Sequence, residues 1–233
     1  SVNPSVLIPR DETEILVEKG SEYLKDWLKK SDESLRVLDI GTGSGAIIIS
    51  LLQEIDRPLR AYATDISKDA LKLARRNFFN LRFTIPRDSS LNLICTDRMK
   101  DLEQEKFHVI VSNPPFFSGG TFSSNQDRNN VRHTIKLPHG DLLIAVRSLL
   151  AKEGKFCVIL PFIEGLRFEE MAKKYGLYCT KKTEVHPKVD KSVERLLLQF
   201  EHTNKPVKED KLVIQKEARN DWTKDYIALT KDF

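Results

Sequence analysis

Ser112-Asn113-Pro114-Pro115-Phe116-Phe117 gathers a side-chain amide, a proline-restrained carbonyl and two aromatic rings in six consecutive residues. An apolar run, Phe107 to Val111, leads into it and reads as a buried strand. Two prolines in succession stop a regular ladder, and each biases its predecessor to an extended conformation. The predicted result is a stiff tip suited to a planar amino group. Asn113 Oδ1 and the Pro114 carbonyl each accept one N–H, and an aromatic face stacks on the plane. The plainer reading is a Pro-Pro turn with Phe116 and Phe117 in the core.

The chemistry of that tip depends on what is held beside it. Arg36 to Ile40 is a short apolar strand that runs directly into Gly41-Thr42-Gly43-Ser44-Gly45, and Ala46 to Ile55 then reads as a helix. Strand, glycine turn and helix make the first unit of a nucleotide-binding α/β sheet, with free N–H groups at the helix start. The spacing is Gly-x-Gly-x-Gly, not the Gly-x-Gly-x-x-Gly of dinucleotide binders. A second strand, Leu59 to Thr64, ends at Asp65, placed to accept from both ribose hydroxyls of a bound nucleoside. A third, Leu91 to Cys95, ends at Thr96-Asp97, where an acid can accept from an adenine amino group. Phe107 to Val111 is the fourth and ends at Asn113. Each strand end thus carries a glycine turn or a polar residue, and ligands in open α/β sheets bind at those ends.

The elements that must carry these residues follow from periodicity. Asp11 to Lys30 has an approximately helical apolar spacing and reads as a surface helix, with Asp11 and Glu14 resembling a capping box. Ser67 to Asn80 is predicted helical, as are Gly140 to Leu150, Arg167 to Tyr175 and Thr223 to Lys231. Lys155 to Leu160, Tyr178 to Val185 and Val193 to Glu201 are the last three strands, the final two forming an antiparallel hairpin at a sheet edge. Lys211 to Gln215 is a further short strand candidate. The division expected is a helical lead-in over 1–34, a catalytic domain over 35–202, and a C-terminal extension over 203–233 packed on that domain.

At 233 residues, 40% hydrophobic and 31% charged, the chain has the composition of one soluble globular domain. It has no apolar run of about 18 or more residues and no signal-peptide pattern, so a cytoplasmic, membrane-free location is expected. Cys95, Cys157 and Cys179 lie far apart in apolar runs and are expected to be buried free thiols. The five histidines show no ligand spacing, so no metal is implied. A net charge of +4 permits nucleic-acid binding without demanding it.

Val37 to Gly45, Asp65, Asp97 and Asn113-Pro114-Pro115-Phe116 together resemble the S-adenosylmethionine-dependent amino-methyltransferases. That resemblance implies a Rossmann-like, seven-stranded mixed sheet with helices on both faces and an antiparallel edge hairpin. It implies that Asp39, Gly41, Thr42, Gly43, Gly45, Ile66 and Asn113 line the cofactor, Asp65 binds its ribose and Asp97 its adenine. Asn113, Pro114 and Phe116 become the catalytic residues, and Pro115 and Phe117 their neighbours on the substrate.

From Asn113 onward the chain is similar to the bacterial adenine-N6 methyltransferases of valine tRNA. The matching pieces are Asn113 to Gly120, Arg128 to Leu137, Phe156 to Pro161, Arg195 to Phe200 and Trp222 to Phe233. Val6 to Glu14 instead resembles the release-factor glutamine methyltransferases, with Asp11 where that family usually has proline. The tRNA resemblance is the longer and includes the segments from which substrate contacts should come. Arg128, Arg132 and His133 follow the tip, and Lys188 and Lys191 lie on the turn of the last hairpin; all are assigned to substrate. The expected partner is tRNA, with a peptide release factor as the alternative, and the expected state is a monomer. A non-catalytic RNA-binding protein on this fold is a third reading, opposed by the intact Asp65, Asp97 and Asn113.

Overall fold

Apolar runs flanked by polar or glycine punctuation become the central strands. In the computed structural model these are β1 (Arg36–Ile40), β2 (Arg60–Asp65), β3 (Ser90–Cys95) and β4 (Phe107–Ser112). The structure describes residues 11–30, 34–96, 99–102, 104–114, 138–218 and 221–230. β5 (Leu150–Pro161), β6 (Tyr178–Lys188), β7 (Arg195–Glu201) and β8 (Lys208–Gln215) complete one sheet. The helices are α1 (Asp11–Leu28), α2 (Ala46–Glu54), α3 (Lys68–Asn80), α4 (His139–Leu149), α5 (Phe162–Lys174) and α6 (Lys224–Thr230).

The sheet has eight strands in the order β3-β2-β1-β4-β5-β7-β6-β8. β1 pairs in parallel with both β2 and β4, so the chain reverses its direction of travel across the sheet between β1 and β4. Open sheets of this type bind ligands outside the carboxyl ends of the strands at that reversal. β7 is antiparallel to both β5 and β6.

The eighth strand corrects two expectations. β8 pairs in parallel with β6, so the sheet is not seven-stranded and the β6–β7 hairpin does not form its edge. The new edge is protected chemically: Lys208, Glu209, Asp210 and Lys211 are all exposed, and charge on an edge strand discourages pairing with another chain. β5 begins at Leu150 rather than Lys155, because Leu150 pairs with Phe107 ahead of a register shift. Cys95 is exposed rather than buried, since β3 is the opposite edge. Cys157 and Cys179 are buried, and burial pushes both thiols up to about 12.

Helices cover both faces. On one side α1 and α2 share an apolar layer with Val37, Val109, Val111, Cys157 and Ile159. On the other, Leu142, Leu143, Val146 and Leu149 of α4 and Phe168 and Ala172 of α5 pack on Leu38, Ile110, Phe156 and Val158. α1 is anchored more deeply than a surface helix needs to be. Ile15, Leu16 and Leu24 are fully buried, each worth about 1.5–3 kcal/mol on burial. That anchoring fixes the position of its first turn, which reaches the carboxyl end of β4.

Candidate cofactor and methyl-transfer site

The glycine turn sits where β1 ends. Gly41 and Gly45 have φ of +77° and +79°, a region that side-chain-bearing residues rarely adopt. A Cβ on Gly41 would meet nothing within 4 Å, so the backbone there faces open space. A Cβ on Gly45 would come within 3.0 Å of Ala74 Cβ, so the absent side chain lets α3 close onto the turn. Asn77 of α3 completes that closure by donating to the Ser44 carbonyl at 3.0 Å. The Gly41 and Thr42 N–H groups both donate to the Thr64 carbonyl at 2.9 Å, tying the turn to β2.

Asp65 does more than wait for a ligand. Its Oδ2 accepts from the Gly43 N–H at 2.9 Å and its Oδ1 from the Ser67 N–H at 2.8 Å. It therefore braces the glycine turn and the start of α3. Each carboxylate oxygen retains a lone pair for a further donor. Ser67 caps α3, its hydroxyl accepting from the Ala70 N–H at 3.2 Å.

Asp39 lies beneath the turn and is fully buried. Its Oδ2 accepts from the Thr42 hydroxyl at 2.6 Å, while its Oδ1 has no partner. Burial pushes this carboxyl up to about 7, aided by the neighbouring Asp65 charge and against the opposing pull of the Thr42 hydrogen bond. An unsatisfied buried acceptor is expensive to keep, which marks the place as one meant for a donor.

Asn113 follows β4 immediately. Val111 pairs with Asp39, and the Ser112 hydroxyl donates to the Ile40 carbonyl at 2.7 Å, so Asn113 emerges alongside the glycine turn. Its Nδ2 donates to the Thr13 hydroxyl of α1 at 3.3 Å, across 100 residues of sequence. Thr13 is buried, so the contact is shielded. Asn113 itself is only partly buried, and Pro114 beside it is buried. With the amide nitrogen engaged, Oδ1 is left to accept.

Of the residues expected at the site, Asp39, Gly41, Thr42, Gly43, Gly45 and Asp65 are joined by contacts around one turn, and Asn113 stands next to them. Ile66 is 40% exposed at the same strand end. Asp97, Pro115, Phe116, Phe117, Arg128, Arg132 and His133 lie outside the described residues. Lys188 and Lys191 stand at the hairpin turn, on the carboxyl-end side of the sheet, since Pro161 and Val185 both pair with Arg195. No hydrogen bond or ion pair among the described residues joins them to Asn113. Lys188 donates to the Glu217 carbonyl at 2.8 Å, and Lys191 is 3.7 Å from Asp190. Sequence reasoning does not single out Thr13, Ser112 or Asn77. A lone threonine or serine carries no pattern, and only the resemblance of Val6 to Glu14 touches Thr13.

A glycine turn above a buried acid with one unpartnered oxygen, with an Asn-Pro tip at the next strand end, defines a methyltransferase of the Rossmann-like class. The methyltransferase small domain model matches residues 14–160. A relative from Photobacterium profundum, named tRNA1(Val) (adenine(37)-N6)-methyltransferase, is 35% identical over 207 residues, covering 85% of this chain and 82% of its own. One of the same name from Flavobacterium psychrophilum is 30% identical over 230 residues, covering 97% and 95%. The fold matches a predicted O-methyltransferase from Agrobacterium tumefaciens with a TM-score of 0.66 at 16% identity, covering 94% of this chain and 95% of that one. The chain belongs to the methyltransferase small domain family, and within it to the group of relatives named tRNA1(Val) (adenine(37)-N6)-methyltransferases.

Proposed function

We propose that the chain transfers a methyl group from S-adenosylmethionine to the exocyclic N6 of an adenine in tRNA. One observation carries the reading: an asparagine beside the glycine turn whose amide nitrogen is engaged by Thr13, leaving its oxygen as an acceptor. The names of the relatives point to the same substrate.

The residues present fit the cofactor. Asp39 Oδ1 is a buried acceptor without a donor, which an ammonium group would supply. Asp65 has lone pairs left for ribose hydroxyls, and the bare Gly41 backbone leaves room for the ligand. When bound, S-adenosylmethionine supplies a methyl group activated by sulfonium.

The chain's own task is to make a poor nucleophile adequate. The lone pair of an adenine amine is delocalised into its ring. Asn113 Oδ1 and the Pro114 carbonyl, accepting both N–H groups, favour a pyramidal nitrogen and stabilise the positive charge that develops there. Phe116 is assigned the stacking that fixes the plane of the base. Alignment supplies the rest of the rate, and the methylated nitrogen is acidic enough to lose its proton to water. The adenine must be presented unstacked, as in base flipping. The reaction belongs in the cytoplasm, where tRNA is matured.

The test is incubation with methyl-labelled S-adenosylmethionine and either unmodified valine tRNA or a peptide release factor. Digestion of the tRNA should place the label on N6-methyladenosine. Label on a release-factor glutamine, with tRNA blank, would transfer the reading to protein. Binding of cofactor and tRNA with no transfer to either substrate would leave an RNA-binding protein.

A further inference from the structure

The core uses only one side of α3. Ala70, Leu71, Ala74 and Asn77 are buried, while Arg75, Arg76 and Phe79 face outward. The 3-10 turn Arg82–Thr84 extends that outer stripe with Phe83. Phe79 and Phe83 are 78% and 84% exposed. Large apolar side chains this exposed and clustered in sequence mark an interaction surface. The Arg82 guanidinium lies 5.7 Å from the Phe78 ring centroid and donates to the carbonyls of Ile85, Pro86, Arg87 and Ser89.

Charge decides what the rings are for. Arg82 is committed to the turn, and Lys72 pairs with Asp69 at 2.9 Å. Arg75, Arg76 and Arg87 are exposed and form no ion pair among the described residues. Rings rimmed by unpaired guanidinium groups suit a polyanion with flat apolar faces. Guanidinium forks bind phosphate bidentately, and a base stacks on an aromatic ring whatever its sequence. An apolar protein partner would leave those guanidinium charges uncompensated.

We propose that the outer face of α3, from Arg75 to Phe83, is a second contact surface for a single-stranded stretch of the RNA substrate. The inference rests on tRNA being the methyl acceptor. α3 starts shortly after Asp65 and its 13 residues span about 20 Å. The Arg75–Phe83 stripe therefore begins about 10 Å down the helix from the cofactor pocket and continues toward the far end of the sheet, room for a short stretch of nucleotides.

Two double variants test it, Phe79→Ala/Phe83→Ala and Arg75→Gln/Arg76→Gln, each at exposed positions and each checked for an unchanged melting temperature. The probe is an unmodified valine tRNA transcript, followed by fluorescence anisotropy across a series of KCl concentrations. Removing each ring that stacks a base should weaken binding about fivefold or more. The arginine pair should flatten the slope of log affinity against log salt by about 0.7 for each phosphate no longer neutralised. Turnover at saturating tRNA and affinity for S-adenosylmethionine should stay at wild-type values. Wild-type affinity and slope in both variants, with the wild type methylating RNA normally, would overturn this surface and leave the proposed function standing. A wild-type dimer that the phenylalanine variant converts to monomer, with RNA affinity unchanged, would also overturn it and assign the face to a second copy. No methyl transfer to RNA by the wild type would instead remove the reading on which the surface rests.

Discussion

Two buried carboxylates stand at opposite ends of the same sheet and are treated in opposite ways. Asp39, at the carboxyl end of β1, keeps one oxygen without a partner and is pushed up to about 7. Glu201, at the other end on β7, is saturated. Its Oε1 accepts from Thr180 and Gln199 at 2.9 Å each, Lys155 pairs with it, and Lys205 reaches Oε2 at 2.5 Å. Burial alone would raise this carboxyl, but the Lys155, Lys205 and Thr180 hydrogen bonds override it and hold the group down to about 2. A depression of about 810 Å³ adjoins Glu201, lined in part by Lys25, Lys29, Lys181 and Lys208. Several lysines there are neutralised locally: Lys25 by Glu54 and Lys29 by Asp26, besides the pair on Glu201. This wide opening and the unfinished chemistry are thus at different ends. A satisfied acid holds the structure together, whereas the unsatisfied one is the acceptor that the proposed function assigns to the cofactor.

The largest expected effect breaks the saturated end. Glu201→Ala leaves Lys155 without its buried partner and should cost about 3–5 kcal/mol in denaturant unfolding, with turnover per folded molecule intact. A drop of only a few tenths would show that Glu201 is a solvated surface acid. Acid sharpens the same point. Glu201 lies below its unfolded pKa of about 4.3, so its contribution is complete above that pH and is lost as pH falls toward about 2.

Next comes the reactive end. Asn113→Ala should lower turnover by about 100- to 1000-fold while cofactor affinity and melting temperature stay near wild type. A matching fall in melting temperature would make Asn113 a turn residue. Asp39→Asn should act with the opposite sign to Glu201→Ala, raising stability while weakening cofactor binding in calorimetry. Asp39 sits above its unfolded pKa of about 3.9, so the native state binds the extra proton. Wild-type stability from this group should therefore fall as pH rises from about 4 through about 7. The advantage of Asp39→Asn over wild type should be greater at pH 8 than at pH 5, measured without cofactor. An advantage that ignores pH would contradict the titration.

The smallest effect is the most local. Thr13→Val removes the hydroxyl that engages Asn113, a bond worth about 0.5–1.5 kcal/mol. Turnover should fall a few-fold with tRNA affinity unchanged, and Thr13→Ser should restore it. A fall in tRNA affinity with turnover preserved would place Thr13 on the substrate side instead.

The contrast between the ends also explains what could be read without coordinates. β1, β2 and β4 and their polar ends are legible because a buried parallel strand is an apolar run and its functional end is where that run stops. The glycine turn is legible because its positive φ angles demand glycine. The start of α5 is not. It begins at Phe162 directly after Pro161, and Ile163 and Leu166 are exposed, so the apolar spacing marks no inward face there. The first half of β8 escapes a reading by pattern because Lys208 to Lys211 is uniformly charged, as an edge strand requires. Thr13 is illegible as a partner because its contact is set by where α1 packs. The orphaned oxygen of Asp39 is a property of three-dimensional surroundings that no spacing encodes.

The contact between Tyr226 and Glu14 has a consequence in time. The Tyr226 hydroxyl donates to Glu14 at 2.8 Å, closing a loop of 212 residues, and Tyr226 is buried beside α1. Glu14 follows Thr13 in α1, so the helix that holds the Asn113 amide receives one of its clamps from residues translated long after it. On the ribosome, β1 to β7 and the glycine turn emerge before α6 does. The nascent enzyme should therefore become able to bind its cofactor before it can use it efficiently. Competence for methyl transfer would then follow the docking of α6.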